Sequence, residues 1–489
     1  MMSTPPTSRP RRNLFVFHLE SISWQTLNAF PEAFPNLHAL MGEARSYRSH
    51  FASASSSQMV IAAFLHGNDF EMDRAEGIAT PAGNNPSLFA TLEAAGYRTS
   101  LLCASAYPQR PLLRILAGSL PTAWSTSDFG ALLARVEAEV ADGPFAIYVW
   151  CQVPHIEANL ALASHAAHLD DLLAGGCAVA DNLLGAMVEL LRRAGTLDDT
   201  TLVAYGDHGD DFGTHGFKSG MLHGTEPYTS LIHTPLVIRD AALAAGTDHR
   251  LVSTVDLAPT CLELLGFAPT LPFVPSGRSV LSGPPRGEAF SQNLTANQPD
   301  MVDDDVRQCF AAVDRSHALL VTRRGLELYN HRLDPGNHAN LLHHFEFDAE
   351  GRLRLLEPKV WTRPHFRTVH HLWRTGLLQE SALRLRDSLR AHVAAKNDYV
   401  RAGMAETKGE RGEPGPTLLD MSAFDRINRI GRGIFFDSAR APESHPEAES
   451  RWRPWTGSGP PGGARARPRW KKLMPRFLRR LFNGRKPSR

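Results

Sequence analysis

Residues 200–209, TTLVAYGDHG, hold a short apolar run that stops abruptly at Asp207-His208-Gly209. A run this short, bounded by polar and glycine residues, suits a buried strand of a parallel sheet. The carboxyl end of such a strand is where open α/β sheets place their ligands. Asp offers a hard oxygen and His a borderline nitrogen, a pair suited to Zn²⁺ or Mn²⁺. Taken alone, the pair fits an ordinary loop equally well. Its meaning depends on what other strands bring to the same edge.

Further runs share this form. Residues 13–19 (NLFVFHL) read as a strand ending at Glu20, residues 97–103 as another, and residues 145–152 (FAIYVWCQ) as one running into Val153-Pro154-His155. A fifth lies at 235–239. Helices are expected between them, from Pro35 through Met41, over 58–66 with Gly67 as terminator, over 87–95 and over 170–194. Alternation of this kind predicts an α/β fold, a mostly parallel sheet with helices on both faces. Near residue 270 the pattern changes to short stretches at 308–313, 317–322 and 326–330, which read as a small C-terminal antiparallel α+β subdomain. The expected organisation is a disordered 1–12, a core over 13–270, its subdomain over 271–345 and a mostly helical extension over 346–440. Within the extension 366–404 reads as helix and 405–416 as linker. Residues 441–489 read as a Pro/Gly-rich linker and a basic tail.

Of the 489 residues, 43% are hydrophobic and 21% charged, as in a globular protein. Five scattered cysteines without C-x-x-C spacing favour reduced thiols and a cytoplasmic setting. No apolar h-region follows the N-terminal basic residues, and no apolar run approaches about 20 residues, so neither a signal peptide nor a membrane span is expected. The formal net charge of +1 hides a division. Thirteen Lys and Arg and no acidic residue fall in 451–489, leaving 39 basic against 51 acidic residues elsewhere. In that tail Trp470, Leu473, Met474, Phe477, Leu478, Leu481 and Phe482 recur at helical spacing, with Lys471, Lys472, Arg476, Arg479 and Arg480 on the remaining face. The pattern suits peripheral contact of 470–482 with anionic lipid at the inner membrane face. A disordered solubilising tail and a basic arm for another partner fit the same residues, while no specific nucleic-acid binding is expected.

Glu20, His155 and Asp207-His208 thus converge on one predicted sheet edge. Singly, Glu20 could cap the next helix and His155 could be a loop residue. Ser57 immediately precedes the 58–66 helix, where free backbone N–H groups and the macrodipole favour an anionic oxygen. A neighbouring metal would make its hydroxyl a nucleophile, whereas without one Ser57 is simply an N-cap.

These segments resemble the sulfatase branch of the alkaline phosphatase superfamily. NLFVFHLES is similar to the first metal-binding strand in the single-Glu form of lipoteichoic acid synthases and phosphoethanolamine transferases. FPNLHAL resembles the PNLDAL helix, LLRRAGTLDDTTLVAYGDHGDDFGTHG the second metal segment, and LHGTEPYTSLIHTPLVI the LHG stretch of the transferases. TVDLAPTCLELLGF and LELYNHRLDPGNHANLL match two later family motifs, so that the resemblance covers about 13–345. It implies an alkaline-phosphatase-like fold and a divalent metal ion (Mn, Zn, Mg or Ca) bound by Glu20, Asp207, His208 and the Ser57 nucleophile. Counting back from Gly67 places Ser57. His223 matches a histidine near the transferred group or a second metal, and His155 the Pro-His after the central strand.

The departures narrow the chemistry. Sulfatases carry C-x-P-S-R or S-x-P-x-R, whose first residue becomes formylglycine; here Ser57-Gln58-Met59-Val60-Ile61 lacks both Pro and Arg. Glu20-Ser21 replaces paired aspartates, and Cys103-Ala104-Ser105 replaces a Gly-Lys-Trp. The resemblance therefore implies a hydrolase or transferase acting on phosphoryl esters through a phosphoserine at Ser57, with an anionic substrate, lipid-linked esters included. Two alternatives remain: a sulfuric ester hydrolase with formylglycine at position 57, and a catalytically degenerate binding or scaffold protein. Substrate choice would fall to the loops 104–125, 153–170 and 290–305.

Overall fold

The computed structural model describes residues 12–69, 87–105, 123–141, 143–155, 169–211, 215, 223–224, 226–269, 277–293, 309–322, 325–356 and 364–407. Among them, eight strands build a central sheet: β1 (Asn13–Leu19), β2 (Arg45–Phe51), β3 (Arg98–Ala104), β4 (Ala123–Thr126), β5 (Phe145–Cys151), β6 (Thr200–Gly206), β7 (Leu236–Arg239) and β8 (Gly246–Ser253). Their order is β4-β3-β5-β1-β6-β7-β2-β8. All neighbours are parallel except β7, which runs antiparallel to both β6 and β2.

The three middle strands β5, β1 and β6 are buried along their whole length, which is why they read as continuous apolar runs. Successive side chains serve opposite faces. Leu14 and Val16 pack with helix Ser57–His66, whereas Phe15, Phe17 and Leu19 pack with helices Pro35–Glu43 and Leu169–Arg193. Helix Ser57–His66 is buried on nearly every side (Met59, Val60, Ile61, Phe64, Leu65) and ends at Gly67, whose φ of 65° closes the turn through its N–H to Ala63 O. The stretch Leu173–Arg193 is long and apolar enough to cross a membrane by length and composition. Here Leu183, Leu184, Met187, Leu190 and Leu191 line the core instead.

A second sheet, antiparallel and in the order β12-β11-β10-β9, contains β9 (Ala289–Asn293), β10 (Cys309–Val313), β11 (Ala318–Thr322) and β12 (Gly325–Tyr329). Its edge strand β9 grips the loop in front of Ser57. Gln292 N donates to Ser53 O at 3.1 Å, and Ser55 N donates to Gln292 O at 3.3 Å. A hairpin follows, β13 (Phe345–Phe347) with β14 (Leu353–Leu355).

The stretch read as helix over 366–404 is two helices, Pro364–Arg374 and Leu377–Thr407, separated at Gly376 with φ 79°. The second packs on β10 and β11, so the extension covers the small sheet. All five cysteines are buried thiols. The segments 1–11 and 441–489, with most of the loops 104–125, 153–170 and 290–305, lie outside the described residues.

Candidate metal centre and nucleophile

At the carboxyl ends of β1 and β6 the backbone turns sharply. Ser21 adopts φ 58°, and a Cβ on Gly206 would lie 2.0 Å from Ile22 O, so only glycine permits the two chains to close here. The same turn fixes Asp207: its Oδ1 accepts from Ser21 N at 2.9 Å and from His208 N at 2.8 Å. Its other oxygen, Oδ2, is turned inward.

Four sequence-derived residues meet there. Ser57 Oγ donates to Glu20 Oε1 at 2.6 Å and lies 2.9 Å from His208 Nε2. His208 Nε2 lies 3.4 Å from Asp207 Oδ2. Ser57 is the first residue of its helix rather than the cap; Ser56 holds the cap position and its side chain makes no cap hydrogen bond. The first-turn N–H groups have no intrahelical acceptor and suit an anion beside Ser57.

His223 and His155 lie next to this cluster. The His223 ring stacks on His208 at 4.7 Å and meets His155 edge-on at 4.7 Å. Its Nδ1 lies 2.9 Å from Asp210 Oδ1. All six expected site residues are therefore within one small region.

Three further residues belong to the centre and were not expected from the sequence. His18 Nε2 lies 3.1 Å from Asp207 Oδ2 and 3.7 Å from Glu20 Oε2. Trp150 Nε1 donates to Glu20 Oε2, and Asp210 holds His223. The available signals were periodicity and spacing. His18 and Glu20 are two apart, so they fall on one side of β1 and the residue after it, and Asp210 stands close to Asp207 in the acidic run GDHGD.

Electrostatics keep these groups poised. Burial alone would raise the Asp207 carboxyl, but His208 and His18 outweigh it and hold it well below the usual carboxylate range. Asp210 behaves alike: burial opposes its charge, and the His223 hydrogen bond holds it down at about 2. Burial would also lower His223, yet Asp210 raises it above the ordinary histidine value, while burial and then His223 lower His155. Tyr148 and Tyr205, beneath the centre, are pushed well up by burial and stay neutral phenols.

The residues fit a divalent cation. Asp207 Oδ2 and His18 Nε2 are fully buried, and neither is in an aligned hydrogen bond. A buried, ionised oxygen with no aligned donor is costly unless a cation meets it. Two groups of potential ligands lie within 4.8 Å among the described residues: His18, Glu20 and Asp207, and His208, Asp210 and His223. Ser57 Oγ lies against the first group through Glu20 and against the second through His208.

Comparison with known proteins bears on the family and the fold. Residues 12–267, just over half of the chain, match the Sulfatase family model. Arylsulfatase K of Danio rerio is 35% identical over 97 residues, 19% of this chain and 17% of that protein. The match thus spans less than a fifth of the curated relative. Among solved structures, the phosphonate monoester hydrolase of Agrobacterium radiobacter superposes with a TM-score of 0.52 at 16% identity, over 77% of this chain and 96% of that one. A 2-O GAG sulfatase gives 0.55 at 12% identity, over 87% and 99%. At these identities the likeness is one of fold.

Proposed function

The chain belongs to the sulfatase family, and from that premise we propose that it cleaves an anionic oxyacid ester with Ser57 as nucleophile, phosphorus being the preferred centre. The observation that carries the reading is the hydroxyl of Ser57, set between Glu20 Oε1 at 2.6 Å and His208 Nε2 at 2.9 Å at the start of a helix. The run Ser57-Gln58-Met59-Val60-Ile61 lacks the Pro and Arg of the formylglycine motif, which favours an unmodified serine.

A divalent cation held by Glu20, Asp207 and His208 would supply Lewis acidity, lowering the hydroxyl pKa and neutralising charge on the substrate oxygens. The chain's own groups do the rest. Ser57 Oγ forms the bond to phosphorus as the bond to the leaving oxygen breaks, and Glu20 Oε1 is placed to receive the hydroxyl proton. The first-turn N–H groups meet the equatorial oxygens. His223, held by Asp210, supplies the proton to the leaving oxygen, and His155 packs edge-on against its ring. Water then opens the phosphoserine, or an acceptor hydroxyl takes the group in a transferase.

A second reading has its own support: most of the curated relatives, arylsulfatase K and a choline-sulfatase among them, are named sulfatases. It requires an aldehyde at position 57. One experiment separates the two. Phosphate mono- and diesters, phosphonates and sulfates are assayed with Mn²⁺, Zn²⁺ or Mg²⁺, alongside the mass of the peptide containing residue 57. An unmodified serine with phosphorus-ester turnover, lost about a thousandfold or more in Ser57→Ala, is expected. An aldehyde with sulfate turnover gives the site to sulfuryl chemistry. Activity surviving in Ser57→Ala removes the nucleophile, and absence of turnover with metal bound favours a binding protein.

A further inference from the structure

Glu20 is accounted for by the strand-end motif, but His18, two residues earlier on the same face of β1, is not. It is fully buried, in register with Trp150 on β5 and Tyr205 on β6. Its ring lies parallel to the Trp150 ring at 5.8 Å and stacks on Tyr205 at 5.0 Å, which fixes its plane. Phe64 of the nucleophile helix covers Tyr205 from above at 5.2 Å. The imidazole therefore cannot swing away from the carboxylates it faces.

The two ring nitrogens have different surroundings. Nδ1 lies 3.0 Å from Tyr148 OH, which in turn lies 2.6 Å from Tyr205 OH. Nε2 has no aligned hydrogen bond, although Asp207 Oδ2 is 3.1 Å away and Glu20 Oε2 3.7 Å. Donors that share one ion at about 2.1 Å sit about 3.0–3.5 Å from each other. The His18–Asp207 spacing falls in that range, as does the 3.4 Å between His208 Nε2 and Asp207 Oδ2. A metal-bound imidazole usually donates its second N–H to an oxygen that fixes the tautomer, and Tyr148 OH is such an oxygen.

We propose that His18 Nε2 is itself a metal ligand, so that His18, Glu20, Asp207 and His208 form a two-imidazole, two-carboxylate donor set around Ser57. Two nitrogens shift preference toward Zn²⁺ and away from Ca²⁺ and Mg²⁺, which favour oxygen. The Tyr148–Tyr205 pair is then the outer shell of this ligand. The inference rests on the metal-centre reading above, but it adds a ligand that reading does not require. The competing role for His18 is donation of an Nε2 proton to Asp207, which would position the carboxylate without touching metal.

X-ray absorption of the Zn²⁺-loaded full chain counts bound imidazoles directly. Two are expected in the wild type and one in His18→Gln. By competition with a chromogenic chelator, Zn²⁺ affinity should fall about 10–100-fold in Tyr148→Phe and further in His18→Gln, with a smaller change for Ca²⁺. A single imidazole in the wild type overturns the inference, whether or not His18→Gln folds. So does wild-type Zn²⁺ affinity in His18→Gln. The control His208→Ala separates the two levels: if it loses metal while His18→Gln keeps it, only the His18 assignment fails. If the wild type binds no metal, or His208→Ala binds it unchanged, the metal centre itself fails.

Discussion

His50 shows how strongly this core depends on a neutral side chain. It is fully buried, with Nδ1 2.9 Å from Thr234 Oγ1 and Nε2 3.4 Å from Thr254 Oγ1, and burial lowers its pKa to about 3. Above pH 6.5 the ring is neutral folded and unfolded, so it adds no pH dependence. Below 6.5 the unfolded chain takes up a proton that the folded chain refuses, and stability falls until the folded pKa is reached. The slope is about 1.4 kcal/mol per pH unit, or roughly 2 kcal/mol by pH 5. His233, lowered to about 4 by burial, acts in the same sense. Urea unfolding at pH 7.5 and pH 5 should therefore show a smaller loss in His50→Gln than in the wild type. Equal losses would mean that His50 is not held neutral. The same property limited what could be read beforehand. Glu20, Asp207 and His208 were legible because they stand at strand ends, where apolar runs stop. His18 and Trp150 lie inside such runs, and a single His or aromatic there reads as core until its neighbours across the sheet are known.

The long helix Leu377–Thr407 meets the segment after helix Ser57–His66 through one buried cluster. Lys396 is almost wholly enclosed; its Nζ lies 3.5 Å from Asp69 Oδ2 and donates to Gln292 Oε1, while His392 Nε2 lies 3.0 Å from the same Asp69 oxygen. Burial lowers the Lys396 pKa, and Asp69 works against that. Asp69 follows helix Ser57–His66 by three residues, and Gln292 belongs to the strand that pairs with residues 53–55. Removing one charge of a buried pair costs about 3–5 kcal/mol. Because His392 can still meet Asp69, Lys396→Met should cost about 3 kcal/mol in urea unfolding. The double variant Asp69→Asn with Lys396→Met should cost less than the two single changes together. Strict additivity would show that the pair is not coupled. None of this was visible in the sequence, because Lys396 and Asp69 are far apart in the chain. The missing strands have a similar cause. Residues RSYRSHF of β2 and GTDHRLVS of β8 are too polar to read as buried. They become strands because β7 and β8 flank β2, while β8 lies at the sheet edge with its first half largely exposed.

For the molecule as a whole, the α/β class and the strands β1, β3, β5, β6 and β7 follow from alternating apolar runs, which report burial directly, whereas helix Phe129–Val140 and β4, which starts inside the stretch read as loop 104–125, do not. The attachment of the small sheet does not, since it depends on single backbone pairings such as Ala54 with Gln292. Charge is the other property of the whole chain, and its distribution leads to a separate prediction. Residues 451–489 hold thirteen basic and no acidic residues, while the remainder carries 39 basic against 51 acidic. An acidic body is repelled by an anionic surface, so any adhesion must come from the tail. Each Lys or Arg near such a surface contributes about 1 kcal/mol, and the attraction decays over the Debye length, about 8 Å at 0.15 M salt. We propose that these thirteen residues, interleaved in sequence with Trp470, Phe477 and Phe482, offset that repulsion and hold the chain on anionic lipid. Vesicles rich in anionic lipid should sediment the full chain at low salt and release a large part of it at 0.5 M. They should leave a 451–489 deletion in the supernatant, with turnover of a water-soluble ester unchanged. A deletion that sediments as well as the full chain would assign the adhesion to the body and leave the tail a solubilising or protein-binding role.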